Sequence, residues 1–114
     1  MVMNTQDWGP SCWVFLHTTA FNYPDNPTQQ DRTRYKKFFE SMAEILPCKY
    51  CRDSTKQFMI ESPIKLESRK MLTHWLFRIH NKVNNKLRKQ GLLKTKNPSY
   101  QDVCKNTQHD GPQS

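Results

Sequence analysis

Two cysteines spaced two residues apart, in Pro47-Cys48-Lys49-Tyr50-Cys51, are the residues of this chain best suited to chemistry. Such a pair can close a small disulfide and exchange it with other dithiols, or it can hold half of a metal site. Pro47 ends the preceding helix and leaves the pair at the start of the next one. There the unpaired backbone N–H groups and the helix dipole favour a thiolate, and Lys49 and Arg52 add positive charge. The setting points to redox exchange, with the helix start and Lys49 expected to favour the Cys51 thiolate. A zinc module would draw on Cys48, Cys51, His74 and His80. It lacks a second cysteine pair or a closely spaced histidine pair, and His74 and His80 point to different faces of one helix.

A dithiol that oxidises substrates needs somewhere to send electrons. The segment His80-Asn81-Lys82-Val83-Asn84-Asn85-Lys86-Leu87 mixes hydrogen-bonding and apolar groups. At helical spacing His80, Val83, Asn84 and Leu87 share one face. Trp13 and His17 lie four apart on an earlier helix. A Trp face and two imidazoles suit a planar heteroaromatic ligand, and Lys86, Lys89 and Arg78 suit a diphosphate. The plainer account of His80 is a satisfied core histidine at the end of an apolar stripe. Cys12 reads either as a small buried hydrophobe or as a partner for Cys104, within one chain or across a dimer. His74 and His109 carry no catalytic pattern.

The elements that must position these residues are helices. The first is expected from near Gly9-Pro10, with proline in the first turn, to about Asn22, with Trp13, Leu16, His17 and Ala20 at helical spacing. Tyr23-Pro24-Asp25-Asn26-Pro27 is a turn, and Thr28 is an N-cap. The second helix, 29–46, has an apolar stripe of Tyr35, Phe38, Phe39, Met42, Ile45 and Leu46. The third, about 50–61, turns Phe58 and Met59 inward, and Ser62-Pro63 breaks it. Ser68 caps the fourth, 69–90, whose core face is Leu72, Trp75, Leu76, Ile79, Val83 and Leu87, and Gly91 stops it. Asn97-Pro98 starts a short fifth helix, about 99–105. No stretch alternates with period two. The class is all-α, a four-helix bundle with a short fifth helix. Residues 1–105 form the domain, and 106–114 read as a polar tail, disordered or a linker to further sequence.

The whole chain sets limits. Its 114 residues suffice for one domain with a modest core; apolar content is only 35%, but six Phe, four Tyr and three Trp supply large side chains to bury. Four cysteines are too few for a disulfide scaffold, so catalysis or metal binding is the better use. The net charge of +8 suits an anionic cofactor. The aromatics do not interleave with the charges as a nucleic-acid stacking platform requires, so no nucleic acid is expected. No apolar run approaches the roughly 20 residues that span a bilayer, and the N-terminus lacks a signal pattern. The chain reads as soluble.

Four motifs in register extend this reading. Trp8-Gly9-Pro10-Ser11-Cys12-Trp13-Val14-Phe15-Leu16-His17, Tyr23-Pro24-Asp25, the Cys48/Cys51 segment and His80 to Leu87 resemble the Erv/ALR FAD-linked sulfhydryl oxidases over about Trp8 to Val103. With so few cysteines the chain looks most like the compact members of large DNA viruses. The resemblance implies a thiol:oxygen oxidoreductase with FAD at the mouth of the bundle. Cys48 and Cys51 would be catalytic, with Cys48 facing a dithiol protein or thioredoxin-like redox partner and Cys51 beside the isoalloxazine ring. Electrons would pass through FAD to O2, giving hydrogen peroxide. Gly9, Pro10, Trp13, His17, Asn22, Tyr23, Cys51, Phe77, His80, Asn81, Val83, Asn84, Lys86, Leu87, Lys89 and Tyr100 would line the FAD site, Tyr100 against the adenine, and no metal is implied. A homodimer through the first two helices is implied as well. The setting would be a virus assembly site in host cytoplasm or the virion, or alternatively the mitochondrial intermembrane space. Three departures stand out: Pro10 where many members have Arg, Asn22 in place of a common aromatic, and Phe58, Met59 and Phe77 where a structural disulfide would join the third and fourth helices.

Overall fold

The computed structural model describes residues 5–91, 97 and 99–106, without the side chains of residues 105 and 106. Helices α1 (Thr5–Phe21), α2 (Gln29–Ile45), α3 (Lys49–Glu61), α4 (Arg69–Lys89) and α5 (Tyr100–Asn106) follow in order, with no strand among the described residues. The long α4 packs against α1 and α3, and α2 packs against α3. This is the expected helix bundle with a short fifth helix. The tail at 107–114, His109 and Pro98 lie outside the described residues.

Local sequence sets the helix starts. Thr28 Oγ1 accepts from Asp31 N at 3.0 Å while Thr28 N donates to Asp31 Oδ2 at 2.9 Å, a reciprocal cap that satisfies two orphan donors of α2. Ser68 Oγ accepts from Met71 N at 3.2 Å and opens α4. Ser99 caps α5 likewise, accepting from Asp102 N at 3.1 Å. Gly91, at φ +74°, sits just past the end of α4, where a side chain would be strained.

The core joins Leu16, Ala20 and Tyr23 to Phe39, Leu72, Trp75, Leu76 and Ile79. Burying each large aliphatic side chain contributes about 2 kcal/mol. The polar ends of the two largest core aromatics find backbone partners. Trp75 Nε1 donates to Ser62 O at 2.7 Å and Tyr23 Oη donates to Leu66 O at 2.8 Å. Arg69 Nε donates to Tyr23 O at 2.7 Å, tying the α1–α2 turn to the start of α4.

Two expectations need correction. The first helix starts at least four residues earlier, at Thr5, so Pro10 lies inside it rather than in its first turn. The proline removes the bond to the Gln6 carbonyl, but both residues are exposed and water can serve that oxygen. In α2, Phe38 and Ile45 do not join the stripe: they are 37% and 75% exposed. Tyr35, Phe39, Met42 and Ala43 make the inward face at spacings of four, seven and eight, which turns Phe38 and Ile45 aside.

Candidate active site

Cys48 is the N-cap of α3, with extended backbone (φ −161°, ψ 116°), and Cys51 lies in the first turn. A serine or threonine oxygen would ordinarily fill the capping role; here the Cys48 Sγ accepts from Cys51 N at 3.2 Å. Arg52 N closes the first helical bond to Cys48 O at 2.9 Å. Cys48, Cys51, Cys12 and Cys104 are all free thiols, so Cys12 and Cys104 are not paired within the chain.

The thiolate belongs on Cys48, not on Cys51 as expected. Burial works against the Cys48 anion, but hydrogen bonds from the Cys51 side chain, the Cys51 N–H, Thr5 and the Tyr50 N–H outweigh it and lower the Cys48 thiol. Burial, its hydrogen bond to Cys48 and the Cys48 charge push the Cys51 thiol up to about 11. The expectation failed because the Cys51 thiol and the helix N–H groups both donate to the cap sulfur, while burial works against a charge on Cys51. Lys49 plays no visible part: its Nζ pairs with Asp53 Oδ2 at 2.9 Å, and it is 82% exposed.

Behind the dithiol lies an apolar cavity of about 660 Å³ between α1, α3 and α4. Ten of the expected contact residues line it: Gly9, Pro10, Trp13 and His17 from α1, Cys51 from α3, and His80, Val83, Asn84, Lys86 and Leu87 from α4. Cys51 reaches this wall and Cys48 does not. The Trp13 and His80 rings stack at 3.8 Å and 9°, and His17 Nε2 and His80 Nδ1 are hydrogen-bonded at 2.9 Å. Burial lowers His17 to about 4, and burial with the neighbouring His17 lowers His80 to about 3, so the pair is neutral at physiological pH. His17 Nδ1 is buried with no hydrogen-bond partner.

Six expected residues stand elsewhere. Tyr23 is fully buried in the core. Asn22 Nδ2 donates to Thr18 O at 2.8 Å. Phe77 and Tyr100 meet at 5.7 Å, and Tyr100 stacks on His74 at 3.8 Å and lies 6.4 Å from Phe21, in a second aromatic cluster. Asn81 is half-buried and Lys89 exposed, neither on the cavity wall. On the cavity wall, Lys86 Nζ donates to Ser54 Oγ at 2.7 Å and lies 4.5 Å from the Tyr50 ring centre. Among the described residues, no three His, Cys, Asp or Glu side chains converge as a metal cage.

Sequence reasoning missed Thr5, Trp8, Tyr50, Ser54 and Phe58, which also line the cavity. Thr5, Gly9 and Cys12 lie at helical spacing, a signal visible only when α1 is carried back through Pro10. Lys82 of α4 pairs with Glu61 of α3 at 3.3 Å and lies 5.8 Å from the Phe58 ring.

Together these features define a class: helical bundles in which a cap-positioned dithiol opens onto an apolar cavity walled by aromatic and imidazole rings. The chain belongs to the Erv1/Alr family, whose profile matches residues 10–105. It is 37% identical over 86 residues to the mitochondrial FAD-linked sulfhydryl oxidase ERV1 of Saccharomyces cerevisiae, covering 75% of this chain and 46% of that protein. A probable FAD-linked sulfhydryl oxidase of Acanthamoeba polyphaga mimivirus is 40% identical over 85 residues, covering 72% of this chain and 59% of that one. The chain thus spans about half the length of these curated relatives. The solved FAD-binding domain of Erv1 from Saccharomyces cerevisiae superposes with a TM-score of 0.81 at 32% identity, covering 91% of this chain and 93% of that one.

Proposed function

We propose that this chain is an FAD-linked sulfhydryl oxidase domain that converts protein dithiols to disulfides, with O2 as final acceptor and hydrogen peroxide as product. The observation that carries the reading is the placement of Cys51, and not Cys48, on the cavity wall. One sulfur is available to a substrate while its neighbour meets a bound ligand.

The residues present fit a flavin nucleotide. The cavity is of ligand size and mostly apolar, with a few polar groups. The orphaned Nδ1 of His17 leaves a polar atom for which the protein supplies no partner. Trp13, His17 and His80 would hold the ring system, with Gly9, Pro10, Val83 and Leu87 as apolar wall and Asn84 and Lys86 as polar contacts. The second aromatic cluster, with Tyr100 and Phe77, would take the adenine. Bound there, FAD supplies the two-electron acceptor and the route to O2.

The chain's own groups then divide the work. A substrate thiolate attacks the Cys48 sulfur of the oxidised pair, a bond forms between those two sulfurs, and Cys51 leaves as a thiolate. The second substrate thiolate attacks its own partner sulfur, releases the substrate as a disulfide, and returns Cys48 as a thiolate held by the Cys51 N–H. The neutral His17–His80 pair adds no positive charge to the cavity. Substrates are dithiol proteins or a thioredoxin-like redox partner.

A homodimer through α1 and α2 is part of the proposal. Val14 and Phe15 are 63% and 60% exposed, and Phe15 meets Phe38 edge-to-face at 6.1 Å across the two helices. Among the described residues no helix is long and apolar enough to cross a membrane. Viral relatives favour a virus assembly site or virion as the setting, and the mitochondrial relative supports the intermembrane space as the alternative. The test of the cofactor is direct: the purified protein is yellow and releases FAD on denaturation. A colourless protein that neither retains nor takes up FAD contradicts the proposal.

A further inference from the structure

The first described turn of α1 reaches the dithiol. Thr5 Oγ1 lies 4.0 Å from Cys51 Sγ, at the long end for a hydrogen bond to sulfur, and either atom can donate. The two residues are 46 apart in the chain, so the meeting is a product of the fold. A threonine hydroxyl rotates, and it can turn to whichever sulfur carries charge.

In the reduced pair that sulfur is Cys48, which takes the Cys51 N–H at 3.2 Å. Exchange inverts the roles. When a substrate thiolate bonds to Cys48, the Cys48–Cys51 bond breaks and its electron pair stays on Cys51 as a thiolate. Nothing is oxidised or reduced overall, and the proton of the incoming thiol has already gone to solvent. Cys48, now in a mixed disulfide, is neutral, and Cys51 has become the sulfur that must accept hydrogen bonds. Cys51 is half-buried on the cavity wall, where a charge needs a donor.

We propose that Thr5 is a positioning residue of the dithiol, its hydroxyl turning to donate to Cys51 Sγ when that sulfur leaves Cys48. The proposal rests on the dithiol-exchange reading above. The Cys51 N–H also favours a Cys51 thiolate, but it is shared with Cys48 Sγ, and the nearby charged and imidazole groups have partners of their own. Lys49 and Asp53 pair with each other, and Arg52 donates to Leu46 O. Across the cavity, Lys86 is held by Ser54, and His17 and His80 are bonded to one another.

The test uses the full chain with its flavin in a Cys48→Ala background, which leaves Cys51 as the single sulfur of the pair. The pH dependence of Cys51 alkylation by iodoacetamide is followed by peptide mass spectrometry, so Cys12 and Cys104 do not enter the readout. Thr5→Val removes the hydroxyl and keeps the shape. It is expected to raise the half-alkylation pH by about one unit, about a tenfold loss of thiolate at a given pH, and Thr5→Ser is expected to restore it. A Thr5→Val profile superimposable on the parent's overturns the proposal. An equal shift in Thr5→Ser also overturns it, because packing and not the hydroxyl would then be responsible. Dithiol oxidation by the otherwise unmutated chain is measured separately. An inert chain alongside a shifted Thr5→Val profile contradicts the oxidase reading and leaves the Thr5 contact standing.

Discussion

The backbone N–H of Cys51 points at the sulfur of Cys48, 3.2 Å away, and makes the first cysteine both the cap of α3 and the natural seat of negative charge. The two sulfurs are therefore unequal before any substrate arrives. Cys48 is lowered by the hydrogen bonds it collects against the opposing effect of burial, while burial and its neighbour push Cys51 up to about 11.

This inequality predicts selective labelling. At neutral pH the reduced protein reacts with iodoacetamide at Cys48 well before Cys51, because the thiolate is the nucleophile. Peptide mass spectrometry at short reaction times reads the order directly. Faster labelling of Cys51 contradicts the assignment of the charge.

The His17–His80 pair predicts acid sensitivity. Both rings are lowered from 6.5, to about 4 and about 3, so between pH 6.5 and those values the unfolded chain binds protons that the folded chain refuses. The pair's contribution is fully present above pH 6.5 and is lost as pH falls, by about 1.4 kcal/mol per pH unit for each proton of difference. His74 shifts in the same direction, through burial and the nearby Arg78 and Lys70. The urea midpoint is expected to be lower at pH 5 than at pH 7, above the range where exposed carboxylates titrate. An unchanged midpoint contradicts the neutral pair.

Much of this was legible in the sequence. The caps Thr28 and Ser68, the stop at Gly91 and the inward residues Leu72, Trp75, Leu76 and Ile79 follow from spacing and local hydrogen bonding alone. The dithiol and the Trp13, His17, His80 and Asn84 faces could also be named, since helical spacing puts each set on one side. Spacing could not say that Tyr23 sinks into the core, because that depends on an acceptor 43 residues away at Leu66. Nor could it place Thr5 on Cys51, since Pro10 reads as a helix start and conceals the turn before it. The reversal of charge between Cys48 and Cys51 turned on one residue of helix boundary and on the burial of Cys51, which spacing does not show.

Tyr23→Phe separates a core role from a cofactor contact. Losing the part-buried bond to Leu66 O costs about 1–2 kcal/mol. Denaturant unfolding of the variant is expected to show that loss at unchanged flavin content. A variant of full stability that has lost its flavin places Tyr23 at the cofactor instead.

Phe15→Glu tests the α1–α2 face. A charge on this exposed aromatic patch is expected to turn a dimer into a monomer of normal helix content, as read by light scattering and circular dichroism. A variant that remains dimeric places the subunit contact elsewhere.

The central claim is that electrons leave a dithiol through Cys48 and Cys51 into a flavin held in the adjoining cavity. Adding a small dithiol to the yellow protein without air, and following the visible flavin absorbance, tests it most directly. The colour is expected to bleach in the parent, to return when air is admitted, and to persist unbleached in flavin-loaded Cys51→Ser. Bleaching in Cys51→Ser at the parent's rate, or a parent that keeps its colour, contradicts the account.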